Sequence, residues 1–263
     1  MRKVLPVVAL FVLAALAEIV PLGAETIRVL YPEGVVRAFL VVKTTAGSVL
    51  ADGDFLQEPR AGSVTTRTVF HFRDGSVQDE TAVFTQRGRF RLVSDRLLQR
   101  GPSFPHPTEI SIDAKTGRVT VKSREGAKEK FLDEKMALPA DLANGIVSTL
   151  LKNLPRSQTS ATVSMLVAAP KPRIVKLAVA REGESPISNG RDSYRAARFR
   201  IKVEIGGIAG VVAPIVGKQP RDASVWILGG DAPGFMRSES QFYDGAPLWR
   251  IELAAPEYPK PAP

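Results

Sequence analysis

Ala197-Arg198-Phe199-Arg200-Ile201-Lys202-Val203-Glu204-Ile205 alternates apolar and polar side chains without a break. Phe199, Ile201, Val203 and Ile205 fall on one face, and Arg198, Arg200, Lys202 and Glu204 on the other. A period of two is the pleat of a β-strand with one face in a core and one in water. The same reading spreads through the chain. Phe70 and Phe72 share a face opposite Arg67, His71 and Arg73, Phe90 and Leu92 alternate with Arg89 and Arg91, and Trp249, Ile251 and Leu253 alternate with Leu248, Arg250 and Glu252.

Turn signals separate these runs. Asp74-Gly75 is a favoured hairpin pair, and Arg87-Gly88, Lys115-Thr116-Gly117 and Arg124-Glu125-Gly126 punctuate the later runs. Asp52-Gly53-Asp54 also reads as a turn, since the remaining ligands of a calcium loop are missing. Residues 63–133 form a meander of about five strands at short spacing, and residues 35–56 supply two more. Residues 173–181, 194–205, 223–229, 233–242 and 247–253 supply a second half. The expected fold is mainly β, with about ten strands in an antiparallel curved sheet or half-barrel. One domain over residues 25–255 is expected, and the alternative is two smaller β domains parted near Pro155–Thr162.

Two segments depart from the β pattern. From Pro139 to Leu154, the spacing of Ala143, Ile146, Val147, Leu150, Leu151 and Leu154 predicts one main amphipathic helix, opened by Pro139 and ended by Pro155. Ile205 to Gly217 carries no charge across thirteen residues. It is too short to span a bilayer and reads as an apolar loop or short helix. It either plugs the sheet or gates an apolar cavity, with Ile208, Val211, Val212 and Ile215 as its apolar members. The Pro-rich end, residues 256–263, reads as an extended tail.

The first residues set the expected compartment. Arg2 and Lys3 precede an apolar run from Val4 to Ala14, and small residues follow at Ala15, Ala17 and Ala24, as in a cleavable secretory signal. Residues 1–24 are expected to be removed, with Ala17 as the alternative cleavage point and no transmembrane span afterwards. The expected location is therefore periplasmic or extracellular. The chain has no cysteine, so its core must hold it without disulfides. The net charge is +9, or +8 once Arg2, Lys3 and Glu18 are subtracted. The basic residues are dispersed, which describes a solvated surface, and no nucleic-acid partner is expected.

Recognisable catalytic machinery is missing from the sequence. Thiol chemistry is excluded, and only His71 and His106 are histidines. His71 sits on the polar face of a strand, and His106 in the rigid loop Gly101-Pro-Ser-Phe-Pro-His-Pro107. No nucleophile elbow, zinc-protease helix, P-loop or dinucleotide fingerprint is present. Neighbouring acids such as Asp79-Glu80 and Asp133-Glu134 point to opposite strand faces, which does not suit a general acid–base pair. No catalytic residue, metal site or cofactor is expected.

The order of elements, with Gln99-Arg-Gly-Pro-Ser-Phe-Pro-His-Pro107 and Leu138-Pro-Ala-Asp-Leu-Ala-Asn-Gly145, resembles the periplasmic lipoprotein-carrier superfamily and its uncharacterised secreted relatives. The likeness is architectural, over roughly residues 26–253, and matches no functional motif residue by residue. It implies a half-barrel whose apolar concave face is closed by helices or loops. On that footing the expected function is a non-catalytic binder or carrier of an apolar or amphipathic, lipid-like ligand. Phe70, Phe72, Phe199, Ile201, Val203, Ile208, Val211, Val212 and Ile215 would form the apolar face and gate. The alternatives are a structural or assembly partner of another envelope protein, and a hydrolase built around His106.

Overall fold

The computed structural model describes residues 26–126, 128–168, 171–189, 192–204 and 220–254. The signal-like residues 1–24, the uncharged run Ile205–Gly217 with Ile208, Val211, Val212 and Ile215, and the tail 256–263 lie outside these.

The first half is a meander: β1 (Val36–Thr44), β2 (Val49–Arg60), β3 (Ser63–Phe72), β4 (Val77–Arg87), β5 (Arg89–Arg100), β6 (Thr108–Asp113), β7 (Arg118–Glu125) and β8 (Lys128–Lys135). A short helix, α1 (Val147–Lys152), leads to β9 (Ser160–Val167), β10 (Arg173–Asn189), β11 (Asp192–Glu204), β12 (Ala223–Leu228), β13 (Gly234–Ser240) and β14 (Trp249–Leu253). All fourteen strands join one antiparallel sheet, ordered β8-β7-β6-β5-β4-β3-β2-β1-β14-β13-β12-β11-β10-β9. The sheet is curved and does not close. Its free ends are β8 and β9, and the β1–β14 pairing joins the two halves of the chain.

The fourteen strands exceed both the expected ten and the twelve strand-like runs named in the sequence: residues 63–133 hold six strands where about five are expected, and β9 has no clean alternation in sequence. Asp52-Gly53-Asp54 is not a turn but the middle of β2. Gly53 is there for packing: a Cβ would lie 2.4 Å from Cδ1 of Phe70, its partner on β3.

The predicted helix is shorter than its apolar pattern. Only Val147–Lys152 is helical. Before it, Gly145 takes φ +67°, a left-handed conformation that interrupts a helix. Asn144 spends its side chain on the edge of β9: Nδ2 donates to Leu166 O and Oδ1 accepts from Leu166 N, both at 2.9 Å. Ala143 N donates to Ser164 O at 2.8 Å, and Met136 N to Gly117 O at 2.8 Å. The segment therefore runs from the β7–β8 hairpin to β9 and covers the β9 edge, which would otherwise present unpaired backbone. Its apolar residues Leu142, Ala143, Ile146, Leu150, Leu151 and Leu154 are all buried, in the same cluster as Val119 and Val121 of β7 and Val163 and Leu166 of β9. Both ends of the sheet thus curl over one core.

A strap closes the same end. Phe90 N donates to Ile27 O and Val29 N to Gly88 O, each at 3.0 Å. Asn153 Oδ1 then accepts from Leu30 N at 2.8 Å and Tyr31 N at 2.7 Å, while its Nδ2 donates to Thr149 O. Glu33 comes next, 8% exposed, and meets Lys152 Nζ at 2.7 Å and Gln57 Nε2 at 2.9 Å. Strap, helix and β2 are locked by one buried polar network.

Candidate functional site

Three transverse rows can be read across the inner face of β1–β8. The upper row is Leu40, Gly53, Phe70, Gln78, Gln99, Thr108, Ser123 and Lys130. The middle row is Ala38, Phe55, Thr68, Glu80, Leu97, Ile110, Val121 and Leu132, and the lower runs from Gln57 through Thr66, Ala82, Asp95 and Ile112 to Val119. Leu40, Phe70, Gln78 and Gln99 above are buried, as are Gln57, Thr66, Ala82, Asp95 and Ile112 below. Between them Ala38, Phe55, Thr68, Glu80, Leu97 and Ile110 are only half-buried. An inward-pointing side chain that keeps solvent contact borders space that water enters. Val121 in the same row is buried, and Phe55 and Ile110 pack against the layers on either side, so the middle row is a band between two packed layers that keeps partial solvent contact from β1 to β6.

The upper layer holds Phe70 and Phe72 with Phe104 and Trp249. Phe72 stacks edge-on against Phe104, with centroids 5.3 Å apart. The lower layer holds Phe199 and Ile201, buried, and Val203, half-buried against them. The predicted apolar face is thus divided between two clusters, and four of its five described members are core. Among the lower-layer side chains Ile27, Phe90, Leu142, Ile146, Leu150 and Val163, the enclosed volume open to water is about 0 Å³.

The accessible surface lies at the ends of β5–β8. An open cleft of about 400 Å³ there is bordered by the outer-face row Leu98, Glu109, Lys122 and Phe131 and by its inner-face neighbours Gln99, Thr108, Ser123 and Lys130. Phe131, on the edge strand β8, is 57% exposed, although large apolar residues are normally avoided on an edge. Four cations, Arg100, Lys122, Arg124 and Lys130, stand around the cleft against two carboxylates, Glu109 and Glu129. Glu109 pairs with Arg96 at 2.9 Å and Lys122 at 3.8 Å, and Glu129 pairs with Arg124.

Two acids that are far apart in sequence meet where the band borders the lower layer. Glu80 and Asp95 sit on the same inner face of β4 and β5, one row apart. Burial pushes the Glu80 carboxyl up to about 7. Burial, and then the charge of Glu80, push Asp95 well above the usual carboxylate range. Asp95 is 4% exposed and its Oδ1 has no donor. A carboxyl whose folded pKa is raised supports the fold while protonated. That support is complete below the ordinary glutamate range and is lost as pH rises through about 7. The melting temperature should therefore fall between pH 5.5 and 8 by an amount that Glu80→Gln reduces, each unit of raised pKa being worth about 1.4 kcal/mol. An identical pH slope in wild type and Glu80→Gln would contradict this.

His71 and His106 are exposed. No group of three metal-ligating side chains occurs among the described residues. Ser164 Oγ does accept from Lys176 Nζ at 2.8 Å and donate to Asp141 at 2.9 Å, but Ser164 is 0% exposed. No substrate carbonyl can reach that hydroxyl, and the triplet fastens residues 141–143 to β9. No helix among the described residues is long and apolar enough to cross a membrane.

Fold and site together define a curved, open, barrel-like β protein with a cationic cleft and an acidic interior band. A solved structure, the crystal structure of a beta-barrel-like protein of domain of unknown function DUF1849 from Brucella abortus, is similar over 87% of this chain and 97% of its own. The identity is 13% and the TM-score 0.47. No family model matches the sequence, and no curated protein does.

Proposed function

We propose that the protein is exported and works as a non-catalytic binder of an amphipathic ligand with an anionic head. The observation that carries this reading is the cleft at β5–β8. Its volume is in the range of small-molecule sites, Leu98 and Phe131 offer it apolar surface, and the surrounding cations outnumber the acids. Arg100 has no acidic partner among the described residues and is exposed, so it is open to an anion. The signal-like start supports export. Cleavage after Ala24 would leave intact the strap that begins at Thr26.

The test is titration with 1-anilinonaphthalene-8-sulfonate, an apolar anion whose fluorescence rises on leaving water. Saturable uptake is expected, weakened at least tenfold, or about 1.4 kcal/mol, by Phe131→Asp and by Arg100→Glu. Uptake unchanged by both substitutions would sink the proposal.

A second reading rests on the outer face near the start of β1. Val35 is 75% exposed, Phe39 62% and Leu56 40%. Such neighbouring apolar side chains suit contact with another envelope protein. Under that reading Phe39→Asp would abolish co-purification of the partner and leave dye uptake unchanged.

A further inference from the structure

We infer that Glu80 and Asp95 form an interior site for a primary ammonium group. This inference goes beyond the cleft and holds whether or not the cleft takes an anionic amphiphile.

The pairing of β4 with β5 sets Ala82 opposite Asp95 and Glu80 opposite Leu97, so the two acids are diagonal neighbours on one face. Asp95 would face outward if the alternation of Phe90 and Leu92 continued. The bulge between Val83 and Phe84 turns it inward. Placing a second carboxylate beside the first on an inner face is costly unless something positive, or a proton, joins them. The observation that points to a ligand is the Asp95 carboxylate itself. It is 4% exposed, and Oδ1 is shielded from solvent with no donor in reach. Buried polar atoms are ordinarily paired, so this oxygen marks a missing donor.

The surroundings select the donor's chemistry. The inner-face neighbours are Phe55, Thr66, Thr68, Leu97, Ile110 and Ile112, with Gly145 above Asp95, and none of these carries charge. Arg67 and Arg96 do act on Asp79, but from the outer face with it. An ammonium has three N–H donors, and Glu80, Asp95 and the hydroxyl of Thr68, directly opposite Glu80, supply three acceptors. Two carboxylates are too few ligands for a calcium site. Glu80 is half-buried and lies in the accessible band, so the site can be reached. The ammonium takes the place of the proton held by the acids, and that proton leaves to the buffer, so binding tightens as pH rises.

Calorimetric titration of the full protein with n-hexylamine hydrochloride tests this, with n-hexanol as the uncharged control. Saturable binding is expected for the amine and not for the alcohol. It should be at least fivefold tighter at pH 8 than at pH 6, with proton release, and weaken at least tenfold in Glu80→Gln and in Asp95→Asn. Both substitutions are isosteric and remove a buried charge, and a thermal melt of each verifies folding. Absence of amine binding, equal binding of hexanol, binding unaffected by both substitutions, or binding of calcium chloride in place of the amine would each overturn the inference.

Discussion

Asn153→Ala is expected to destabilise the protein by about 3–5 kcal/mol, read as a shift in the urea midpoint at unchanged slope. Asn153 is 1% exposed and its side chain makes three hydrogen bonds. Two of them satisfy the main-chain N–H groups of Leu30 and Tyr31, which lie in no strand. Removing the amide leaves both donors without their acceptor, and such orphaned groups cost more than the bond itself gains. The strap should then release first. Amide exchange at Val29, Leu30 and Tyr31 would rise in the variant well before exchange at Val42 or Phe70. Uniform acceleration across the sheet would show that Asn153 supports the whole fold instead of the strap.

Gly145→Ala should cost nearly as much, about 2–5 kcal/mol, for two separable reasons. The left-handed conformation at φ +67° costs a side-chain-bearing residue about 1–2 kcal/mol. The new Cβ would also lie 2.6 Å from Ala82 Cβ and 2.8 Å from Asp95 Oδ1, and overpacking of this kind adds about 1–3 kcal/mol. Gly75 provides the control. It has φ +85° and nothing within 4 Å of a built Cβ, so Gly75→Ala carries only the backbone part. Equal losses at the two glycines would mean that the turn before α1 does not press on the acidic band.

The sequence shows most of the β architecture and little of the site. The inner positions of β11, Phe199 and Ile201, are buried as their alternation demands, and Asp74-Gly75 does turn β3 into β4. Strand β9 escapes notice because its edge is covered. Ser164 is buried beside Val163, so polarity no longer reports which face is wet. The helix is overread because Leu142, Ala143 and Ile146 are core residues at helical spacing, yet Asn144 acts as a backbone mimic for β9. Gly53 reads as a turn residue, although its role is to admit the ring of Phe70.

The acidic band is hidden for a different reason. Glu80 follows Asp79, and the two do point to opposite faces, as alternation predicts. The meeting of Glu80 with Asp95 depends on a register that contains a bulge, and one inserted residue reverses the face of everything beyond it. Gln57, Gln78 and Gln99 are buried polar residues on the same inner face. Gln99 Nε2 donates to Gln78 Oε1 at 2.7 Å and to Phe242 O at 2.9 Å, which satisfies an amide between the band and the aromatic layer. The cleft has no local signature either, since Leu98, Thr108, Lys122 and Phe131 come from four strands.

The central claim is that an exported protein carries an anionic amphiphile at the β5–β8 cleft. Native mass spectrometry of the protein purified from its own host tests it most directly, because one spectrum reads both the mature terminus and any bound molecule. The prediction is a chain beginning at Glu25 with a bound mass that organic extraction removes and Phe131→Asp does not retain. A chain that keeps Met1, or a mature chain of bare mass in which Phe131→Asp changes nothing, would contradict it.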